Sequence, residues 1–512
     1  MESWRCNHLK TYSDFMNEIS SEELYEGLLG YGFFSEKLPP VFSSEAFCTY
    51  TKSLAQPFHN KEHGFVFFES MRDINIPRPL GIPNPMAYQR LCRCLADHWK
   101  DIQLHFETQT NNQKHKVSRI HIRKQKNSKA IFKMNYKDWK VDDSPIDDML
   151  IGKKYVVRAD ISTCFQSMYT HALPWAIVGK SIAKQNRNSN QWHNQLDKMT
   201  RNLKSGETHG FLIGPHASNI LSEIILTVID RNLCDKSWEY IRNIDDYACY
   251  VISYENAQEF LTQLTEELRK FDLTLNHRKT KIEELPLAST SHWVRRLNAV
   301  DFLASYGGVN YKTAQVYIDA AIELMQSNNH NAAILNYAIK VLAKQKISAN
   351  AKQYCVKTIL HLSAIYPYLI PLLEQYVFVP YHTQNDVIEK FSNMIYESAL
   401  KSNSYEAMIY SIYFAIKYNF KIESLEVNSV IAKKNCLFCM FAYLYFYKYG
   451  CTAEVQALRE YAQQLAANIG DFDENWLFVY ETLPANDLCG EWKQMKQAGI
   501  SFIKTDFWAR TL

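Results

Sequence analysis

Three aspartates are the residues best suited to chemistry. The stretch "IRNIDDYACYVIS" (241–253) sets Asp245 beside Asp246 between apolar, β-prone residues, which reads as two short strands with the acids at the hairpin tip. Two adjacent carboxylates repel, and a rigid hairpin that presents both makes sense around a cation. Two other Asp-Asp pairs, Asp142-Asp143 and Asp147-Asp148, lie in "KVDDSPIDDML", where polar residues and a proline deny them flanking strands. A third carboxylate, Asp160, ends the strand-like "KYVVRAD" (154–160), and the intervening helices would bring that strand beside the hairpin. In isolation Asp160 reads as a helix N-cap, because "ISTCF" follows. Carboxylates from neighbouring strands suit phosphoryl transfer, in which two Mg²⁺ ions about 3.5–4 Å apart clamp the attacking and leaving oxygens.

The elements that must position these acids are legible as periodicities. "SNILSEIILTVIDRNL" (218–233) is an apolar helix with Ser218 at its start. "NAQEFLTQLTEELRKFDL" (256–273) is amphipathic, with Phe260, Leu261, Leu264, Leu268 and Phe271 at helical spacing. "LTLNHRKTKIEEL" (273–285) closes an α/β unit as turn and strand. Upstream, "SEELYEGLLGYGFF" (21–34) begins a helix with Ser21 as cap, and 42–55 forms another. "NIPRPLGIPNP" (75–85) must be extended or turned, and 87–102 reads as one helix. Residues 114–133 carry eight Lys or Arg and no acid, which fits either a phosphate-contacting strap or a solvated hairpin.

From about Tyr311 the character changes to successive helix-length segments at 311–326, 329–345, 349–364, 384–400, 404–418 and 434–448. They suggest an α-solenoid, HEAT-like, or an irregular bundle. The expected organisation is an N-terminal segment with fingers over 1–150, an α/β unit over 151–304 and a helical region over 305–512, with "SYGGVNY" (305–311) as the junction.

Bulk composition excludes several classes. With 512 residues, 47% hydrophobic and 22% charged, the chain is globular and of more than one domain. A net charge of +3 gives no global nucleic-acid signature, so any such site must be local. "MESWRCNHLK" lacks a signal-peptide h-region, and "CLFCMFAYLYFY" (436–447) is too short to span a bilayer. No membrane association and a cytoplasmic, reducing setting are therefore expected for the twelve cysteines. Cys436 and Cys439 have no second ligand pair nearby and read as buried thiols rather than a zinc site.

The motifs, in order, resemble a known family. "DISTCFQSMY" looks like motif A of reverse transcriptases, "GFLIGPHASNILSEI" (210–224) like motif B and "NIDDY" like motif C. "RPLGIPN" (78–84) resembles the finger motif of bacterial reverse transcriptases, and "LTLNHRKTKI" resembles motif D. The wording of motifs A and B and the helical C-terminal part resemble the abortive-infection (Abi, AbiK-like) polymerases of bacteria and prophages. The resemblance implies a reverse-transcriptase-like fingers and palm, with palm motifs within 151–304, followed by the helical region.

It also implies roles. Asp160, Asp245 and Asp246 would be catalytic and would hold two Mg²⁺, with Mn²⁺ a possible substitute. Arg78 would grip the triphosphate, Phe165 would crowd a ribose 2′-OH, Gly214 would let the backbone approach the nucleotide and Lys279 would donate a proton to pyrophosphate. The substrates implied are dNTPs. The product implied is untemplated DNA, covalently attached to a priming tyrosine not identifiable among 32, made by a homo-oligomer. The sequence departs from templated enzymes at Ile213, where they carry a glutamine, and at Asn243, where they carry an aromatic; no thumb follows motif D. An RNA-templated reverse transcriptase and a non-catalytic helical scaffold are the alternatives.

Overall fold

The computed structural model describes residues 10–73, 76–119, 122–132, 145–188, 190–300 and 308–509. The Asp142-Asp143 pair and the first part of the expected 305–311 junction lie outside the described residues.

Two sheets frame the chemistry. A hairpin of β1 (Phe65–Asp73) and β2 (Ile76–Pro83) is antiparallel, and Arg72 stands unpaired in a bulge between Met71 and Asp73. The second sheet has four antiparallel strands: β3 (Tyr155–Asp160), β4 (Tyr240–Asn243), β5 (Asp246–Val251) and β6 (Lys281–Glu284), in the order β4-β5-β3-β6. Alternation sorts its faces. Val157, Ala159, Tyr247 and Cys249 join the main core, whereas Val156, Ile241, Ala248 and Tyr250 form a small outer cluster with Met149.

Helices follow the periodicities with shifted ends. The expected 87–102 helix is two, α1 (Pro85–Asp97) and α2 (Trp99–Thr110), broken at His98, whose backbone leaves helical geometry. Asn84 caps α1 by accepting the Met86 N–H, with Pro85 at the first helical position, where its missing N–H does no harm. The cap of the helix at 21–29 is Ser20, one residue before the expected Ser21, in a reciprocal box with Glu23. The helix expected at 218–233 runs from Ala217 to Asp235 (α3), and Ser218 donates to the Leu212 carbonyl instead of capping. Helix α4 (Tyr254–Arg269) is capped by Ser253 and lies against β3 and β5.

Beyond residue 308 the expected helices form over Tyr311–Ser327, Ala332–Leu342, Ala349–Ile365 and Asn385–Ser402, then α5 (Tyr405–Tyr418) and α6 (Cys436–Lys448), and a further helix not expected from sequence, α7 (Ile469–Thr482), follows. Helix α6 is buried nearly all round and touches α5, α7 and β1, which is bundle-like packing rather than a one-sided stack. Its Cys436 and Cys439 are buried, and burial pushes the Cys436 thiol up to about 12, so both thiols are packing groups. No helix among the described residues is long and apolar enough to cross a membrane.

The segments share one continuous core, from Tyr12 to Phe507. Trp476 of α7 is fully buried against Phe33 and Phe502. Residues 502–504 return to the N-terminal part: Phe502 accepts from Ser43 N–H at 2.9 Å, and Lys504 N–H donates to Val41 at 2.8 Å.

The sheet is bolted to α3 by charge. Arg242 of β4 is fully buried and pairs with Glu223 at 2.7 Å and Asp230 at 2.6 Å, both on α3. Tyr12 and Ser118 hydroxyls donate to Glu223, and Tyr240 donates to Asp230. Two flanking carboxylates hold the guanidinium charge far above its ordinary range against the pull of burial. Every polar atom of the trio is thus occupied, the condition under which buried charges are tolerated. Arg242→Met would leave two uncompensated buried acids and should cost about 3–5 kcal/mol in chemical denaturation. Adding Glu223→Gln and Asp230→Asn should recover most of that loss; an Arg242→Met protein as stable as wild type would dismiss the bolt.

Candidate active site

Asp160 is the last residue of β3, and its register partner is Asp246, the first residue of β5. Asp245 occupies the two-residue turn with Ile244, closed by the Asn243–Asp246 pair. The hairpin is therefore as expected, but Ile244 belongs to its turn, not its strand. Ile244 has φ = 58°, a left-handed conformation that a β-branched residue adopts only under constraint. The constraint is visible: Arg242 Nη1 donates to the Ile244 carbonyl at 2.7 Å, and Ile161 N–H donates to the Asp245 carbonyl at 3.1 Å. The charged bolt under the sheet thus also aims the acid-bearing turn.

The carboxylates crowd one another. Asp160 is buried and is not a helix cap; the short helix after it starts at Cys164, with Thr163 before it. Withdrawal from water, and then the charge of Asp160, raise the Asp245 carboxyl above its ordinary range. Asp246 is lifted to about 6, first by partial desolvation, then by Asp245's charge and a shared hydrogen bond with Asp160. One cation answers them directly. Lys279 Nζ donates to Asp160 Oδ2 at 2.6 Å, and Asn276 Nδ2 donates to Oδ1 at 3.1 Å, both from the turn before β6. Among the described residues no three His, Cys, Asp or Glu side chains are grouped to hold a metal ion as they stand. The donor set nonetheless fits divalent cations: three neighbouring carboxylates, two of them with raised pKa, and a side-chain ammonium on the third.

The β1–β2 hairpin supplies more positive charge. Burial and the neighbouring Arg72 lower the pKa of Arg78, while Asp245 opposes that shift, so both arginines lie within electrostatic reach of the turn. Arg72 was not among the residues singled out from sequence. Its signal is the hairpin itself: pairing across "MRDINIPRP" sets Arg72 and Arg78 on facing strands.

Gly214 has φ = 129°, in the region that favours glycine, and a Cβ there would meet the Gly81 carbonyl at 3.4 Å. The preceding Ile213 carbonyl accepts the Gly81 N–H at 2.9 Å. This loop is therefore stitched to β2, and it is the backbone angle, not the ordinary 3.4 Å contact, that favours glycine there. Phe165, half-buried in the short helix after β3, packs against the core while its carbonyl accepts the Phe211 N–H.

The basic stretch is largely spent internally. Lys124 pairs with Glu23, Lys129 with Glu26 at 2.6 Å and Lys114 with Glu239 at 3.8 Å. Lys116 and Arg123 lie 4.2 and 4.6 Å from the Phe15 ring centre. Residues 117–119 line the edge of β4 as a parallel bridge between Ser118 and Arg242. The described part of this segment thus braces the β4 edge of the four-stranded sheet. The Arg242–Glu223–Asp230 trio was also missed; its signal is two acids seven residues apart in an otherwise apolar helix, on one face.

No family model matches the chain, and no curated protein matches it. Solved structures with some similarity include telomerases. Apo telomerase from Candida tropicalis truncated from the C-terminal domain is 14% identical over 48% of this chain and 55% of its own, at TM-score 0.28. The fuller apo telomerase from Candida tropicalis is 10% identical over 76% and 70%, at 0.33. Telomerase from Candida albicans in complex with a fragment of telomeric RNA is 10% identical over 85% and 67%, at 0.27. Scores this low leave the reading to the site itself.

Crowding makes the site pH-sensitive. A carboxyl held at about 6, against an ordinary 3.8, favours the fold fully below about pH 4 and loses that contribution as pH rises through 6. In chelator, Asp246→Asn should therefore melt at higher temperature than wild type at pH 7.5, and the two should converge near pH 4. Parallel melting curves of pH dependence would show that Asp246 is not crowded.

Proposed function

We propose that the chain is a reverse-transcriptase-like DNA polymerase of the Abi phage-defence type, which makes DNA without a template from a tyrosine primer. The observation that carries the polymerase reading is the pairing of Asp160 with Asp246, with Asp245 beside them and Arg72 and Arg78 within electrostatic reach of the turn. Asp160, Asp245 and Asp246 would hold two Mg²⁺, or Mn²⁺, and these ions would neutralise charge on the reacting phosphate. The guanidinium groups suit the triphosphate by bidentate hydrogen bonding. Lys279 reaches Asp160 and so stands where it could hand a proton to departing pyrophosphate. Phe165 would oppose a ribose 2′-OH by bulk.

The finer parts rest on the sequence resemblance: dNTP substrates, DNA covalently attached to the protein, a homo-oligomer and a role in abortive infection. The RNA-templated alternative loses part of its motive, because Lys116, Arg123, Lys124 and Lys129 have partners within the chain. The scaffold alternative leaves without a use the elevation of Asp245 by burial and Asp160, and of Asp246 by burial, Asp245 and Asp160.

Purified protein incubated with labelled dNTPs and Mg²⁺, but no template, should carry label on the protein band of a denaturing gel. Asp245→Asn should reduce that label by more than about 100-fold. Phe165→Ala should raise ribonucleotide incorporation relative to deoxynucleotide. An unlabelled wild-type band would sink untemplated, protein-primed synthesis, and full incorporation by Asp245→Asn would sink the metal assignment.

A further inference from the structure

Among the described residues the β1–β2 hairpin has two strands, so β1 has one edge paired with β2 and one edge without a strand. Acids from the helical region hold that second edge at both ends. At its start, Asp473 of α7 accepts the Gly64 N–H at 3.0 Å, with His63 at 3.1 Å and Asn84 at 3.0 Å around the same carboxylate. At its far end, Glu406 of α5 accepts the Met71 N–H and the Ser70 hydroxyl, each at 2.8 Å. Met71 immediately precedes the bulged Arg72, and a bulge re-aims the side chain it carries.

Glu406 is an expensive residue to place there. It is 2% exposed, and burial pushes its carboxyl up to about 7. The position of its two partners, directly behind Arg72, gives the contact a use.

We infer that Glu406 is a positioning residue for nucleotide binding: from the helical region it fixes the bulge that points Arg72, and with it the Arg72–Arg78 pair, at the triphosphate position before the Asp245 turn. The inference rests on the polymerase reading of that site. Glutamine reproduces the neutral acid's pattern, with its carbonyl accepting from Met71 and its amide donating to Ser70 Oγ. Alanine offers neither bond.

The test compares wild type with Glu406→Ala, Glu406→Gln and Ser411→Ala. Ser411 is buried on the same helix but bonds only to that helix's own Ala407 carbonyl among the described residues, so it controls for general loosening of α5. Amide hydrogen exchange at Met71 reads the grip, and the expected change in Glu406→Ala is about tenfold faster exchange. Affinity for dTTP with Mg²⁺, read as thermal stabilisation across a concentration series, needs no turnover. It should weaken about tenfold in Glu406→Ala and stay within about twofold of wild type in Glu406→Gln and Ser411→Ala. In incorporation assays the same change should appear in KM, with kcat altered far less. Wild-type dTTP affinity in Glu406→Ala overturns the inference, as does equal weakening in Ser411→Ala. A wild type that binds dTTP but incorporates none overturns the polymerase reading alone.

Discussion

A single buried cation sets the terms for this structure. Arg242 lies in the core between Glu223 and Asp230 and has no route to water. Guanidinium cannot shed its proton, so the two acids and the hydroxyls around them must stay where they are. That requirement fixes α3 against β4 and ties in the N-terminal helix through Tyr12 and the segment near Ser118. It also reaches the site, because the same guanidinium holds the Ile244 carbonyl and keeps the turn in a conformation isoleucine would not choose. The strain is local, and the ionic network that sustains it is shared by four parts of the chain.

Above the bolt, the site is a balance of opposed charges. Three carboxylates converge from β3, the turn and β5, and each added negative charge makes the next harder to ionise. Lys279 offsets part of this from one side and the finger arginines from the other. Such crowding leaves the acids poised to respond to added positive charge.

Much of this was legible in the sequence, because it depends on local pattern. Asp160, Asp245 and Asp246 stand at strand ends that alternation defines, and the helices after residue 308 follow their apolar periodicity closely. Errors fell where one hydrogen bond decides between neighbours: Ser20 rather than Ser21 as a cap, Ser218 turned to Leu212, and the break at His98. What stayed hidden was tertiary. The basic stretch looks free in sequence because Phe15, Glu23 and Glu26 are about a hundred residues away. Arg242 looks like an outward strand residue until Tyr240, two positions earlier, is seen to share its inward face and its Asp230 partner. Arg72 and Glu406 gain meaning only through a hairpin register and a contact spanning more than 300 positions.

The return of residues 502–504 to Val41–Ser43 has a temporal meaning. A chain emerging from the ribosome would display its first helices, the finger hairpin and the palm long before Phe502 exists to fill the space beside Phe33 and Trp476. Domains that fold as they are made can begin work early; this chain cannot close its core until Phe502 has been synthesised. The late arrival of that residue thus acts as a timer, and a chain still short of it presents acids and arginines without the frame that aligns them.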